Sequence, residues 1–339
     1  MYILSIESSC DETSIAVIKF SKDKDDNNFE VLTNIISSQI DIHKKFGGVV
    51  PEIASREHTK NIGYVLDETL KEASVKLEDI NAIAVTVGPG LVGALLVGLS
   101  FAKALAYSLN IPLIPVHHIA GHIAANYITH PDLKPPFVSL VVSGGHSHII
   151  LVKDYTIFKI LAKTRDDAVG EAFDKVARVL GLGYPGGPKV SAMAESGTTS
   201  YHLPKTEFDN SYDFSFSGIK TAVLNIANKE KNKLNIPNMC ASFENSVSEV
   251  LVDHVIKVAK QEDIHKIVLA GGVSANKRLR NMLQEKGNKE EISVYLPDLK
   301  YSTDNAAMIG IAGIFKYREG NYTNDLTVNA KASMNIEEE

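Results

Sequence analysis

The feature that most constrains this sequence is a supersecondary pattern that occurs twice. Residues 2–7, 13–20 and 29–36 alternate or run apolar as three strands, and a helix, a strand and a helix follow. The same order starts again at residue 137 and is completed after a long interruption. Two copies of a βββαβα unit can bury their apolar faces as two α/β lobes. We therefore predict an α/β fold of two lobes with a cleft.

The predicted elements set the bounds of these lobes. The first copy has a helix from Pro51, a strand at 82–87 and a core helix at 91–109. The second has strands at 137–143, 148–152 and 155–161, then a helix at 239–261, a strand at 266–270 and a helix at 274–283. Residues 21–28 form a polar hairpin loop, a helix at 304–317 returns to the first lobe, and the tail to residue 339 is expected to fray. The N-terminal lobe is predicted at 1–115 plus 300–335, and the C-terminal lobe at 116–299 with an insertion at 164–233.

Composition excludes several classes of protein. With 35 Lys and Arg against 41 Asp and Glu, the net charge of −6 excludes a chain that coats nucleic acid through bulk positive charge. The 2 cysteines, Cys10 and Cys240, exclude a disulfide framework and favour a reducing, cytoplasmic compartment. We see no apolar run long enough to cross a bilayer, so no membrane partner is expected.

A histidine pair is the first candidate site. His118 and His122 are four residues apart, so on a helix they share a face and can bind one cation, whereas His117 points elsewhere. The alternative is a pair of surface histidines. A zinc peptidase needs Glu directly after the first histidine, and Ile119 stands there. The peptidase motif is therefore absent.

Glycine-rich turns close several predicted strands. Glycine lets a ligand approach the backbone, and amides in such turns bind phosphate. None of the turns is a Walker loop or a GxGxxG fingerprint, and each alone is also typical of plain chain reversal. Together they favour a nucleotide site. They lie at 88–90, 143–146, 185–188 and 271–274.

Acidic residues form a third group. Asp11 and Glu12 lie in the first hairpin turn, where Asp is also a common turn residue. Asp304 precedes the last helix, where it could simply be the N-cap. Glu171, Asp174 and Arg178 share one helix face, which is typical of a surface salt-bridge stripe.

Eight motifs, taken together and in order, resemble one family over nearly the whole chain. The sequence is similar to the TsaD family, the tRNA adenosine threonylcarbamoyltransferases. The histidine loop reads SGGHS, where the family usually has SGGHT, so Ser147 keeps the hydroxyl. The motifs are IESSCDET, GPGLVGALLVG, VHHIAGH, LVVSGGHS, GEAFDKVARVLGLGYPGGP, DFSFSGIKTAV, GGVSANKRLR and STDNAAMIG.

The resemblance implies an actin-like, sugar-kinase-like ATPase fold with a nucleotide cleft. It implies transfer of a threonylcarbamoyl group from threonylcarbamoyl-AMP to the N6 amine of the adenine 3′ to the anticodon, in tRNAs that read codons starting with A. The implied partners are the tRNA anticodon stem-loop, an inactive TsaB-like paralogue of the same fold and a small TsaE-like P-loop ATPase.

The resemblance also assigns site residues. It implies one divalent metal ion on His118, His122 and Asp304, with iron favoured and zinc possible. Threonylcarbamoyl-AMP or ATP would lie in the cleft, on Val141, Val142, Ser143, Gly144, Gly145, Asp174, Gly187 and Asn276. Asp11 and Glu12 match a catalytic acidic pair, of which we favour Asp11 as the group that deprotonates the amine.

Other readings stay open at this point. One is a non-catalytic, nucleotide-binding partner subunit of the same fold, although it would have no need of the three ligands. A metallopeptidase and a small-molecule kinase are the others, and neither has its sequence signature here. Candidate tRNA phosphate contacts, which are equally typical of solvated helix charge, are Lys44, Lys45, Arg56, Lys60, Lys277, Arg278 and Arg280.

Overall fold

A computed structural model of the chain describes residues 1–23, 27–209 and 211–338. Residues 24–26 of the predicted hairpin loop at 21–28 therefore lie outside the described residues. The chain forms two compact units. The first unit comprises Met1–Pro135, Lys153–Phe158 and the chain from Pro297 onward, and the second comprises Pro136–Val152 and Lys159–Leu296.

The strands and helices follow the predicted order. The first part of the chain contains β1 (Tyr2–Glu7), β2 (Glu12–Lys19), β3 (Glu30–Ser38), α1 (Ile40–His43), α2 (Pro51–Ala73), β4 (Ala82–Gly88), α3 (Val92–Leu109), β5 (Leu113–His117) and α4 (His118–Thr129). The rest contains β6 (Phe137–Val142), β7 (Ser147–Asp154), β8 (Ile157–Lys163), α5 (Val169–Val179), α6 (Gly186–Ala194), α7 (Ser217–Glu230), α8 (Ile236–Gln261), β9 (Lys266–Ala270), α9 (Lys277–Lys289), β10 (Ser293–Tyr295) and α10 (Ala306–Glu319).

The sheet of the first unit has the strand order β3-β2-β1-β4-β5. Strand β1 is antiparallel to β2 and parallel to β4. Successive side chains of a strand point to opposite faces. Leu4 and Ile6 thus join the apolar cluster formed with α2 and α3. On the other face, Gly310 and Gly313 of α10 let that helix lie directly against the sheet.

The sheet of the second unit repeats this connectivity. Its order is β10-β9-β6-β7-β8. Listed from the β8 edge, this is the order of the first sheet with each strand number raised by five. Strand β6 is antiparallel to β7 and parallel to β9, as β1 is to β2 and β4. The predicted duplication is confirmed. The long helix α8 lies in the core cluster of this unit.

The units have different bounds from the predicted lobes. Residues 116–135, predicted in the C-terminal lobe, lie in the first unit. The reason is helix α4, which packs along α10, as the contact of Gly121 with Met308 and Ile309 shows. The histidine pair and Asp304 consequently belong to one unit.

The predicted fraying of the C-terminal tail is wrong. The amide of Lys331 donates to the carbonyl of Val87 at 2.8 Å, and the amide of Gly90 donates to the carbonyl of Ala332 at 3.2 Å. Ile336 is only 3% exposed. Because its backbone groups pair with the end of β4, the tail is held against the first unit.

Helix α3 also corrects an expectation. Among the described residues, Val92–Leu109 is the helix long and apolar enough to cross a membrane by length and composition, with 33% of it buried. Leu95 and Leu99 are buried in the first unit, whereas Leu96 and Tyr107 are exposed. The helix therefore has one face in a protein core and one apolar face outside it.

Candidate functional site

The three predicted metal ligands lie together in the first unit. His118 is the first residue of α4 and His122 lies one turn later, so their rings face the same side. Asp304 precedes α10, and its Oδ1 lies 3.1 Å from His122 Nε2 and 3.6 Å from His118 Nε2. Ligand atoms about 2.0–2.2 Å from one ion are separated by roughly 3–3.5 Å. The cluster therefore has the size of a metal site.

The state of these side chains fits a cation. His122 is 1% exposed, and its Nδ1 makes no hydrogen bond. Its Nε2 lies 3.1 Å from Asp304 Oδ1 without the geometry of a hydrogen bond. A buried nitrogen without a hydrogen bond is costly unless it has another partner, such as an ion. Asp304 is not the helix N-cap, since Asn305 accepts the bond from the amide of Met308. Capping of α10 therefore does not account for the position of the Asp304 carboxylate.

His117 does not join the cluster, as predicted. Its Nδ1 accepts a hydrogen bond from the amide of Ile119 at 3.1 Å, and its Nε2 donates to the carbonyl of Met334 at 3.1 Å. Both ring nitrogens are therefore used to begin α4 and to hold the C-terminal tail.

Electrostatics around His118 depends on a buried carboxylate, Glu7. Burial by itself would lower the pKa of His118, but the charges of Glu7 and Asp304 raise it to about 9. Burial would likewise raise the pKa of Glu7, yet the charge of His118 and its hydrogen bond hold it below the ordinary value. With no metal bound, the two side chains form a buried ion pair at neutral pH.

The turn between β1 and β2 carries the predicted acidic pair. Asp11 is 7% exposed, and Glu12 begins β2. Burial raises the pKa of Glu12 well above its ordinary value, and the negative charges of Asp304 and Asp11 add to the rise. The structure thus brings Glu12 into the electrostatic field of Asp304 and Asp11.

Neighbouring elements hold this turn in place. His58 of α2 donates from Nε2 to the carbonyl of Cys10 at 3.0 Å, and its Nδ1 accepts from Thr13 Oγ1 at 2.7 Å. The amide of Leu91 donates to the carbonyl of Ser9 at 2.8 Å. Desolvation of the thiol and the charges of Asp11 and Asp304 raise the pKa of Cys10 well above the ordinary value, so it is a poor nucleophile.

The predicted substrate loop lies in the second unit, directly after β6. Val141 and Val142 end the strand, and Ser143 Oγ accepts a hydrogen bond from the amide of His146 at 3.1 Å. Gly144 and Gly145 are exposed, with no atom within 4 Å of the position of a Cβ. The side of each residue on which a Cβ would lie is thus open to a ligand.

The turn after β9 lies against this loop. Gly271 has a φ of +88°, and a Cβ there would overlap the carbonyl of Val142. A Cβ on Gly170, at the start of α5, would lie 2.8 Å from the carbonyl of Ser143. Only glycine allows both approaches, so these glycines bring three backbone segments to one edge of the sheet.

The remaining predicted adenylate contacts have internal roles as well. Asp174 Oδ1 accepts from the amide of Gly186 at 2.7 Å, which fixes the start of α6 next to the open Gly187. Asn276 Oδ1 accepts from the amide of Leu279 and caps α9. The Nδ2 atom of Asn276 donates to Glu244 Oε1 at 2.7 Å.

Several basic candidates for tRNA contact are paired within the chain. Lys44 lies 2.7 Å from Asp41, and Arg56 lies 2.6 Å from Glu52, in each case among exposed side chains. Lys60 pairs with Glu57 at 2.5 Å. In the second unit, Arg278 donates to Asn245 and Lys277 lies 3.9 Å from Glu195. The solvated-charge interpretation accounts for these pairs.

Comparison with solved structures defines the class of protein. The chain is similar to HypF of T. kodakarensis, with a TM-score of 0.64 and 12% identity over 94% of this chain and 48% of that one. It is also similar to component A of the (R)-2-hydroxyglutaryl-CoA dehydratase of Acidaminococcus fermentans, with a TM-score of 0.54 and 16% identity over 94% and 99%. The duplicated sheets are thus those of the actin-like ATPase fold, as predicted.

Sequence comparison identifies the family. Residues 30–311 match the family model of TsaD, tRNA N6-adenosine threonylcarbamoyltransferase. An enzyme of that name from Clostridium perfringens is 55% identical over 99% of this chain and 98% of its own length. One from Clostridioides difficile is 52% identical over 98% of each. The chain belongs to the TsaD family.

Proposed function

We propose that this chain transfers the threonylcarbamoyl group of threonylcarbamoyl-AMP to the N6 amine of the adenine 3′ to the anticodon, in tRNAs that read codons starting with A. The observation that carries the proposal is the convergence of His118, His122 and Asp304 in a chain 55% identical to a named transferase. A non-catalytic partner subunit would have no need of this cluster, and Ile119 stands where a peptidase needs Glu.

The reaction is an acyl transfer. N6 of the adenine forms a bond to the carbamoyl carbon, and the bond from that carbon to the phosphate oxygen breaks. AMP leaves with the electron pair, and the N6 proton passes to a carboxylate. Because an aromatic amine is a weak nucleophile, positioning and proton removal carry much of the catalysis.

We assign the proton acceptor to Asp11, with Glu12 as the second acidic group. Asp11 lies in a turn that is held by two hydrogen bonds to its backbone. His58 donates to the carbonyl of Cys10, and the amide of Leu91 donates to the carbonyl of Ser9. A fixed carboxylate close to the reacting amine can accept its proton without reorganising.

The adenylate is assigned to the second unit. Gly144 and Gly145 are exposed, and the backbone amides of such a glycine turn suit a phosphate or a developing carbonyl anion. Asp174, Gly187 and Asn276 are assigned to the ribose and the base. Ser143 orders the loop through its bond from His146.

His118, His122 and Asp304 would hold one divalent ion, iron in preference to zinc. Two imidazoles and a carboxylate suit either metal. When bound, the ion supplies positive charge that stabilises developing negative charge on the substrate.

We assign the exposed apolar face of α3 to the TsaB-like paralogue. Val92, Leu96 and Tyr107 are exposed on this helix, and Tyr64 of α2 is 77% exposed. Large apolar side chains that share a surface are typical of protein interfaces. The TsaE-like ATPase and the tRNA anticodon stem-loop are the other partners, and the proposed compartment is the cytoplasm.

Transfer from pre-made threonylcarbamoyl-AMP to unmodified tRNA, with the partner proteins present, tests the function. We expect His118→Ala and Asp304→Ala to reduce kcat/KM by about a hundredfold or more, as loss of a charge-stabilising group does. The matched control is His265→Ala, whose side chain is 74% exposed in the second unit.

Two results would contradict the proposal. Absence of product with the wild-type chain would refute the function. Full activity in both ligand variants would refute the metal assignment and leave the transferase activity standing.

A further inference from the structure

Glu7 is a buried charge to which the proposed reaction gives no role. It is the last residue of β1 and is 0% exposed. A buried carboxylate is costly unless it is paired and hydrogen-bonded. Its contacts therefore indicate what it is for.

Two fixed donors orient this carboxylate. The amide of Ser9 donates to Oε1 at 2.5 Å, because the chain reverses directly after β1. Thr86 Oγ1 donates to Oε2 at 2.5 Å, because the parallel pairing of β1 with β4 places Thr86 beside it. One oxygen is thus held by the backbone and the other by the adjacent strand.

The same Oε2 faces the histidine. His118 Nδ1 lies 3.1 Å from Glu7 Oε2 and 3.2 Å from Ser9 Oγ. An ionised carboxylate only accepts hydrogen bonds, so Nδ1 must carry the proton. When the ring gives up its other proton, as a metal ligand must, its lone pair is therefore on Nε2, the nitrogen that faces Asp304.

We propose that Glu7 is a positioning residue for the metal ligand His118: it fixes the ring's tautomer and orientation so that Nε2 is always the ligating nitrogen. This inference rests on the proposed metal site. Histidine ligands are commonly held by a carboxylate on the other ring nitrogen, which also makes the ligand more basic. Glu7 also supplies a second negative charge, so that with Asp304 it balances a divalent ion bound by two neutral imidazoles.

The change Glu7→Gln tests this directly. An amide keeps the volume but replaces one acceptor oxygen by a donor NH₂ group. In one orientation the NH₂ faces the amide of Ser9, and in the other it faces Thr86 and His118. The first orientation therefore places two donors together at Ser9, and the second does so at Thr86. The second also favours the tautomer of His118 that has its proton on Nε2.

The measurement is Zn²⁺ and Fe²⁺ affinity of the metal-free full-length protein, by competition with a chromophoric chelator. We expect Glu7→Gln to weaken binding by about 10- to 100-fold, the usual loss for such an outer carboxylate. The matched control is Glu244→Gln, the same change at a buried carboxylate of the second unit, which should leave metal affinity unchanged. Wild-type affinity in folded Glu7→Gln would overturn the inference.

A second readout needs no variant. In the Zn²⁺-loaded wild-type protein, long-range ¹H–¹⁵N NMR spectra should show His118 protonated at Nδ1 and metal-bound at Nε2. A proton on Nε2 with the metal on Nδ1 would overturn the inference even if Glu7→Gln failed to fold.

The variant His122→Ala separates an error in the proposed metal site from an error in the role of Glu7. If wild-type protein and His122→Ala bind metal equally weakly, the proposed metal site itself is wrong. If wild type binds tightly and His122→Ala does not, the site stands and the Glu7 data decide the inference alone.

Discussion

The β1–β2 turn and the β6–β7 turn occupy the same place in two sheets of the same strand order, yet they have opposite chemistry. The first turn is buried and carries Asp11, with Glu7 before it. The second exposes Gly144 and Gly145 and offers backbone amides. The repeated strand order places a hairpin turn at the same position in both sheets. Carboxylates make the first turn suited to cations, whereas exposed glycines make the second suited to anions.

In each sheet, the strand parallel to the first strand of the hairpin is β4 or β9. A glycine that follows this strand packs against the hairpin turn or the strand end before it. A Cβ on Gly90, after β4, would overlap Ser9, and one on Gly271, after β9, would overlap Val142. The two copies have thus kept the same backbone packing while their turn sequences differ.

The largest effect on stability is expected when the contact between Gly271 and Val142 is disrupted. We expect Gly271→Ala to destabilise the protein by on the order of 4 kcal/mol, because it combines a φ of +88° with overlap of a backbone carbonyl. Chemical denaturation measures this. Gly272→Ala is the control, since no atom lies within 4 Å of its Cβ position. Equal stability of the two variants would contradict the packing argument.

A smaller effect is expected at the support of the first turn. His58→Leu should cost about 2 kcal/mol, because the carbonyl of Cys10 and the hydroxyl of Thr13 lose their buried partner. Thr13→Val removes only one of these bonds and should cost less. Denaturation at pH 7 compares them, and a larger loss in Thr13→Val would mean that His58 does not hold the turn.

The variant His58→Leu should also change how the free energy of unfolding depends on pH. Burial lowers the pKa of His58 from the ordinary value of 6.5. Below about pH 6.5 the unfolded chain therefore takes up a proton that the folded protein does not, and stability falls as the pH falls. In His58→Leu this contribution is missing, so the free energy of unfolding should decline less steeply below that pH.

The smallest effect on stability is expected in the exposed β6–β7 turn, at Gly144. Gly144→Ala should change the free energy of unfolding by less than about 0.5 kcal/mol, because the site is open. A methyl group where a substrate approaches should weaken threonylcarbamoyl-AMP binding about tenfold, or about 1.4 kcal/mol. Gly218→Ala in α7 is the control. Unchanged adenylate binding in Gly144→Ala would remove the loop from the proposed site.

Much of the fold could be predicted because its signals are local. Apolar periodicity predicted the twelve strands and helices of the two copies, most of them to within a few residues. The bounds of β9, Lys266–Ala270, agree with the prediction. The four-residue spacing of His118 and His122 predicted a shared helix face because both lie within one turn of α4.

The rest depends on contacts between distant residues. Glu7 was missed as a site residue because a charge at the end of a strand is usually solvated, and only the pairing with β4 buries it beside Thr86. His58 is separated from Thr13 by 45 positions, so no local pattern connects them. The tail was predicted to fray because its polar sequence does not show that its backbone pairs with Val87.

The discontinuity of the first unit has a consequence for biosynthesis. The second unit is made almost entirely from one continuous stretch, whereas the first needs both ends of the chain. Asp304 is translated long after His118, and the tail that pairs with Val87 comes later still. A nascent or prematurely terminated chain that ends before residue 304 thus has two of the three proposed ligands. All three proposed ligands are therefore present only after Asp304 has been synthesised.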